Sequence, residues 1–217
     1  MIKDDFSVEG FPSGAIWKSY GTPRVRGGKL ILETYNDYVI SVQPITLDEG
    51  ASIVVVFDSG NGALMFTSYD LDAPPDIVEG APYDAVRLSN YGPAVYYESN
   101  RRALSSLSVY PPVTITIQSS KGKLSVYVEG KDYWGKPYPK TLLVETTNQF
   151  WGKDVFIHLV GGALAVDSIN ASAGKESLSA QMMILMYSVM ALVPILILIP
   201  LVRKLRELFK PETAPAV

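Results

Sequence analysis

The sequence predicts an all-β protein, an antiparallel two-sheet sandwich followed by one C-terminal transmembrane α-helix. Two observations predict this. Residues 4–172 hold about ten short segments rich in Val, Ile and Tyr, separated by turns and without an amphipathic helical period. Residues 181–202 contain no charged side chain, and an apolar stretch of about 20 residues is long enough to cross a bilayer as a helix.

The predicted strands follow from the apolar pattern and the turns between them. They are residues 4–9, 29–35, 38–45, 51–57, 63–69, 84–90, 94–98, 113–118, 123–128, 141–145, 155–160 and 163–169, with a hairpin turn at 91–93. The almost continuous apolar run at 51–57 predicts a central strand buried on both faces. Strict alternation at 113–118 predicts one face toward the core and one toward solvent. Tyr96 and Tyr97 are expected to fill the sandwich.

Composition excludes several classes of function. The formal net charge of −3 and the pI near 5.2 provide no basic field for a nucleic acid. The absence of cysteine removes disulfides, thiolate catalysis and cysteine-ligated metals. The single histidine, His158, lies in an apolar strand, which favours a buried structural role over a metal site or a Ser-His-Asp triad.

The chain divides into four predicted parts. They are the sandwich at 1–172, a linker at 173–180, the transmembrane helix at 181–202 and a basic tail at 203–217. Four basic residues follow the span at once, namely Arg203, Lys204, Arg206 and Lys210, whereas Lys175 precedes it. The positive-inside rule then places the tail inside and the sandwich outside. No signal peptide is visible at the start of the sequence, so a tail-anchored protein with its domain inside is the alternative. We expect a single-pass protein of a cell or virion envelope, with the lipid bilayer and other protein subunits as partners.

Several segments together resemble a known family. They are the opening Asp4-Asp-Phe-Ser, then Trp17, Gly21 and residues 27–32, the hairpin at 113–130, and the closing segments at 156–162 and 165–169. These segments resemble the concanavalin A-like lectin/glucanase sandwiches, including laminin G-like domains. The resemblance implies a jelly-roll fold whose first and last strands are neighbours. It also implies binding of carbohydrate or of a protein surface, although a fold alone does not give a function.

The resemblance also implies a structural calcium site in some members of that family. The aspartate of the last strand supplies a side chain there, and Asp167 matches it, with Gly28 as a backbone carbonyl donor. Calcium takes six to eight oxygen ligands, so these residues alone are an incomplete set. The alternative is that Asp167 caps a turn or hydrogen-bonds the first strand. We expect no cofactor other than this calcium.

The glucanases of that family depart from this sequence at their catalytic residues. They use a pair of glutamates on one face of a central strand, one as nucleophile and the other as acid. The central strands here carry Val54, Val56, Leu64 and Phe66 instead. We therefore expect a protein that is not an enzyme, and a polysaccharide hydrolase is only a distant alternative.

One loop carries the predicted ligand site. Asp132, Tyr133, Trp134 and Tyr138 lie within a few residues of one another. Aromatic faces beside a carboxylate suit a sugar, whose apolar C–H face packs on the ring while its hydroxyls meet polar groups. The alternatives are that these rings close one end of the sandwich or form a protein or membrane interface.

Two functions follow from the sequence. The first is a membrane-anchored structural subunit of a surface layer, an appendage or an enveloped virion. The second is a carbohydrate-binding or adhesion module that uses the aromatic loop.

Overall fold

Strands dominate the computed structural model, which describes residues 1–89 and 94–174. Sixteen strands lie in these two ranges, and no helix does. They are β1 (Ile2–Asp4), β2 (Trp17–Tyr20), β3 (Arg24–Val25), β4 (Leu30–Leu32), β5 (Tyr38–Ser41), β6 (Ile45–Thr46), β7 (Ser52–Ser59), β8 (Gly62–Thr67), β9 (Asp84–Ser89), β10 (Ala94–Ser99), β11 (Arg102–Leu107), β12 (Tyr110–Ser120), β13 (Lys123–Lys131), β14 (Pro137–Thr147), β15 (Asp154–Gly161) and β16 (Leu164–Ser172).

The strands form two antiparallel sheets, which confirms the predicted sandwich. Sheet A has the order β14-β13-β12-β7-β16-β4-β3, and β1 also pairs with β16. Sheet B has the order β11-β10-β9-β8-β15-β5-β2, and β6 also pairs with β15. Ile2 lies opposite Ala171, so the first and last strands are neighbours, as the resemblance implied.

The core lies between the sheets and follows the two-residue period of the strands. Along β7, Ile53, Val55 and Phe57 are fully buried, and the residues between them are only half-buried. β12 contributes Val113 and Ile115 to the same core. Burying a side chain of this size stabilises the fold by roughly 1.5–3 kcal/mol, so this alternation specifies which face of each strand points inward.

The strand buried on both faces is β8, and the prediction for residues 51–57 was wrong in this respect. Every residue of β8 is buried, whereas β7 alternates between buried and half-buried positions. The reason is a long connection, residues 68–83, which we call the strap. It covers the outer face of sheet B, where a second hydrophobic cluster contains Met65, Tyr83 and Ala85.

Some predicted boundaries also shift. The first strand ends at Asp4 because the Asp4 carboxylate accepts a hydrogen bond from the Phe6 amide at 2.8 Å and the chain turns there with a positive φ at Phe6. The hairpin of β9 and β10 is confirmed by its pairing, and its predicted turn at 91–93 lies outside the described residues.

The membrane predictions are not tested by the described residues. The span at 181–202, the tail at 203–217 and all but the first two residues of the linker fall outside them. Within 1–89 and 94–174 there is no helix long and apolar enough to cross a membrane.

Candidate functional site

A cleft of about 650 Å³ lies on the outer face of sheet B. One row of side chains, each paired with the next across neighbouring strands, runs beneath it. The row is Tyr20, Tyr38, Val160, Ala63, Arg87 and Tyr96, contributed by β2, β5, β15, β8, β9 and β10. Small side chains, Val160 and Ala63, occupy the middle, and large ones flank them. The cleft therefore has an apolar floor, with two tyrosines on one side and Arg87 and Tyr96 on the other.

The first wall is a stacked pair of tyrosines held by the strap. The rings of Tyr20 and Tyr38 lie 4.7 Å apart at an interplanar angle of 12°. Tyr20 donates a hydrogen bond to the Asp72 carboxylate at 2.7 Å, and Tyr38 donates one to the Asp72 carbonyl at 2.9 Å. The bond to Asp72, followed by burial, raises the pKa of Tyr20 to about 12. Its hydroxyl therefore stays protonated at neutral pH.

A third tyrosine, Tyr35, closes the end of the cleft beside that pair. Its hydroxyl accepts a hydrogen bond from Asn61 Nδ2 at 2.6 Å. A Cβ at Gly162 would lie 2.6 Å from the Tyr35 ring, so only glycine allows this approach. The ring stays 64% exposed, and the Asn36 and Asn61 amides lie beside it in the cleft lining. A ligand in the cleft would thus meet the aromatic face of Tyr35 and two side-chain amides side by side.

Charged groups occupy the opposite side of the cleft. Arg87 donates from Nε to Glu98 at 2.8 Å and from Nη2 to Asp76 of the strap at 2.7 Å. Glu98 also accepts a hydrogen bond from the buried Tyr83 hydroxyl. Burial alone would lower the pKa of Arg87, but the bonds and charges of Asp76 and Glu98 outweigh it and leave the pKa raised. The guanidinium is therefore a fixed cation with two carboxylate partners.

The neighbouring row of outer-face side chains is covered instead of open. It contains Ile40, His158, Met65 and Ala85, each fully buried. Both ring nitrogens of His158 are buried without a hydrogen-bond partner among the described residues. Burial lowers the pKa of His158 to about 4, so it is neutral at physiological pH and structural, as its apolar strand indicated.

The predicted ligand loop lies elsewhere, in the turn between β13 and β14 of sheet A. Asp132 accepts hydrogen bonds from the Trp134 and Lys136 amides at 2.9 and 2.8 Å, so its carboxylate holds the turn. Tyr133 and Trp134 are 75% and 79% exposed and meet edge to face at 5.8 Å. Tyr138 is partly buried and packs against the core. The structure brings two of the four residues together as an exposed pair.

The two predicted calcium ligands, Asp167 and Gly28, lie on β16 and in the turn before β4. Asp167 is exposed on β16, where the pairing with β7 is irregular between Val166 and Ser168. Gly28 lies in the turn before β4 with φ of +70°. Nowhere in 1–89 or 94–174 do three or more His, Cys, Asp or Glu side chains group so as to hold a metal ion. Calcium needs more oxygens than these two residues offer.

Comparisons with known proteins identify the fold. No protein-family model and no curated protein matches the sequence, but solved structures do. The exoplasmic/lumenal domain of VIP36 with bound Ca²⁺ and Man2 has a TM-score of 0.58 and 14% identity, over 83% of this chain and 90% of that one. LamAcat from Zobellia galactanivorans has a TM-score of 0.54 and 11% identity, over 79% and 96%.

A plant lectin gives the same result. The metal-free form of lectin I-B4 from Griffonia simplicifolia has a TM-score of 0.51 and 14% identity, over 76% of this chain and 99% of that one. Identities this low establish a shared fold and nothing finer. The described residues therefore have the concanavalin A-like lectin/glucanase fold.

Proposed function

We propose that this protein is a carbohydrate-binding module whose site is the cleft over sheet B. The stacked Tyr20 and Tyr38 rings facing the cleft beside the exposed Tyr35 ring carry this proposal. Sugar rings present apolar C–H faces that pack on aromatic rings, and their hydroxyls hydrogen-bond to amides and charged groups. Asn36, Asn61 and Arg87 supply such groups here. A volume of about 650 Å³ lies within the usual range for ligand sites.

Structures of the same fold support the ligand class. VIP36 is known in a form bound to Ca²⁺ and Man3GlcNAc. A variant of LamA from Zobellia galactanivorans is known in complex with laminaritriose and laminaritetraose. These ligands belong to those proteins. For this chain they make an oligosaccharide the first ligand to test.

We propose a binding role without catalysis. Leu64 and Phe66 point into the core, so they are not the positions where catalytic groups would face the cleft. The outer positions of β8 are Ala63, Met65 and Thr67, and none is a carboxylate. Hydrolysis with retention or inversion needs two carboxyl groups flanking the bond to be cleaved. Asp76 is the one carboxylate in the cleft lining that the structure describes, and it is paired with Arg87.

The membrane anchor remains part of the proposal. If residues 181–202 span a bilayer, the tether would hold the cleft at an envelope surface for adhesion or for assembly with other subunits. This part rests on the uncharged apolar stretch and the basic residues after it.

The test compares two aromatic sites in the full chain in detergent, on an oligosaccharide array. We expect Tyr35→Ala to weaken binding by about tenfold, because a solvent-exposed ring that contacts ligand contributes more than about 1 kcal/mol. Trp134→Ala is the matched control and should leave binding unchanged. Loss of binding in Trp134→Ala with Tyr35→Ala unaffected would move the site to the hairpin loop of Asp132, Tyr133 and Trp134.

A further inference from the structure

The charged groups around the cleft are unequal in number. Arg87 is paired with Asp76 and Glu98 at 2.7 and 2.8 Å. Lys18, outside the cleft lining, lies 2.7 Å from Asp70 and 3.8 Å from Asp72, and Asp72 also binds Tyr20 of the lining. Arg101 donates to the Asp76 carbonyl at 2.9 Å, so three cations and four carboxylates lie in and beside the cleft. An anionic ligand entering the cleft therefore meets an excess of negative charge.

Asp76 adds a second observation, which concerns hydrogen bonding. Its Oδ2 accepts from Arg87, but its Oδ1 is buried with no hydrogen-bond partner among the described residues. A buried acceptor without a donor costs free energy, so the strap leaves one acceptor unsatisfied at the cleft lining. Because that oxygen is buried, a ligand meets the charge of the Asp76 carboxylate and not a free acceptor. This charge repels an ionised carboxylate or sulfate and does not repel a neutral hydroxyl.

We infer that the cleft selects neutral, hydroxyl-rich glycans over acidic ones, and that Asp76 is the residue that makes this selection. The inference rests on the proposed carbohydrate-binding function and specifies the ligand class at the same site. Asp76 acts in two ways. It compensates the Arg87 charge that would otherwise attract a uronate or a sulfate ester, and it places a negative charge where such a group would lie. Rejection by like charge is a common source of specificity.

The experiment measures binding of matched sugar pairs to the full chain in detergent by titration calorimetry. The probes are gluco-, manno- and galacto-oligosaccharides, each beside the C6-oxidised uronate of the same linkage. For the unsubstituted protein we expect the neutral sugar to bind at least about tenfold more tightly than its uronate, since like charges a few ångströms apart near a protein surface repel by more than 1 kcal/mol. Equal or tighter uronate binding overturns the inference and leaves the carbohydrate-binding function intact.

The variant Asp76→Asn assigns the selection to this residue. The amide oxygen still accepts a hydrogen bond from Arg87, but the negative charge is gone. The ratio of neutral-sugar affinity to uronate affinity should therefore fall roughly tenfold. The gained uronate binding should weaken with added salt. Asp58→Asn is the control, because Asp58 pairs with Lys29 at 2.8 Å outside the cleft lining. If the ratio of neutral-sugar to uronate affinity is unchanged in Asp76→Asn, the selective role of Asp76 is overturned.

The same titrations give a different result if the proposed carbohydrate-binding function itself is wrong. If no oligosaccharide, neutral or acidic, binds the unsubstituted protein or either variant, both the function and the inference fall. The first comparison uses the unsubstituted protein alone, so it is decisive even if Asp76→Asn loosens the strap.

Discussion

The outer faces of the two sheets differ, although both belong to one sandwich. On sheet A, Val54 and Val56 of β7 are half-buried, and Leu142 of β14 is 47% exposed. On sheet B, the equivalent outer positions Met65 and Ala85 are fully buried. The strands alone do not make this difference, since both sheets are antiparallel and similar in size. One connection does, because the strap covers part of the outer face of sheet B and borders the cleft.

The strap is held by polar contacts at several points. Asp70 and Asp72 bind Lys18 and Tyr20 of β2, and Asp76 binds Arg87 of β9. Thr67 donates to the Pro82 carbonyl at 2.7 Å where the strap ends. A loop ordered in this way carries polar groups that a bare sheet would not need, and one of them, Asp76, lines the candidate site. The comparison shows that the candidate cleft of this chain lies on the face that the long connection covers in part.

The largest expected effect tests the ion pairs under the strap. Arg87→Met leaves Asp76 and Glu98 partly buried without their cation, so we expect a loss of about 3 kcal/mol in the free energy of unfolding. Denaturant unfolding of the full chain measures it. Lys123→Met on the open face, where Lys123 pairs with Glu145 at 2.6 Å in solvent, should have little effect. An equal loss of unfolding free energy in Arg87→Met and Lys123→Met would mean that ion pairs on the covered and the open face contribute equally to stability.

The next effect concerns acid and the covered His158. Its pKa falls from 6.5 to about 4 on burial. Above pH 6.5 the imidazole is neutral in both the folded and the unfolded state. Between pH 6.5 and 4 the unfolded chain takes up the proton and the folded protein does not, so stability falls as the pH falls, by about 3 kcal/mol at most. His158→Leu should remove this part of the pH dependence, and parallel curves for both proteins would contradict the prediction.

The smallest effect is expected on the open face. Trp134 is 79% exposed and contacts Tyr133, so Trp134→Ser should change the free energy of unfolding by less than about 0.5 kcal/mol. The urea midpoint measures it. A loss as large as that of Arg87→Met would show that the hairpin loop is covered in the intact protein, as one of the interpretations of its aromatic residues supposes.

The sequence predicted the sandwich because its strand signals are local. The Val-Thr-Ile-Thr-Ile run and the turn at Lys121-Gly122 define β12, β13 and their pairing without any distant residue. The burial of β8 on both faces could not be predicted in this way. It depends on the strap, which begins after β8 and contains no strand of its own.

The cleft could not be predicted from the sequence for a similar reason. Tyr133 and Trp134 are adjacent in sequence, so the sequence alone shows them as a cluster. Tyr20 and Tyr38 meet only through the pairing of β2 with β5, and β2 was not predicted. The prediction that both Tyr96 and Tyr97 fill the core was wrong, since neighbouring residues of a strand point to opposite faces. Tyr97 is buried in the core, and Tyr96 lines the cleft.

The position of β16 has a mechanical consequence. β16 ends at Ser172 and is hydrogen-bonded on both sides, by β7 along one edge and by β4 and β1 along the other. A pulling force applied beyond Ser172 therefore enters the middle of sheet A. To release β16, the bonds to strands on both sides must shear together, whereas an edge strand such as β14 can peel away one bond at a time. β16 therefore resists a pull from beyond Ser172 more strongly than an edge strand would.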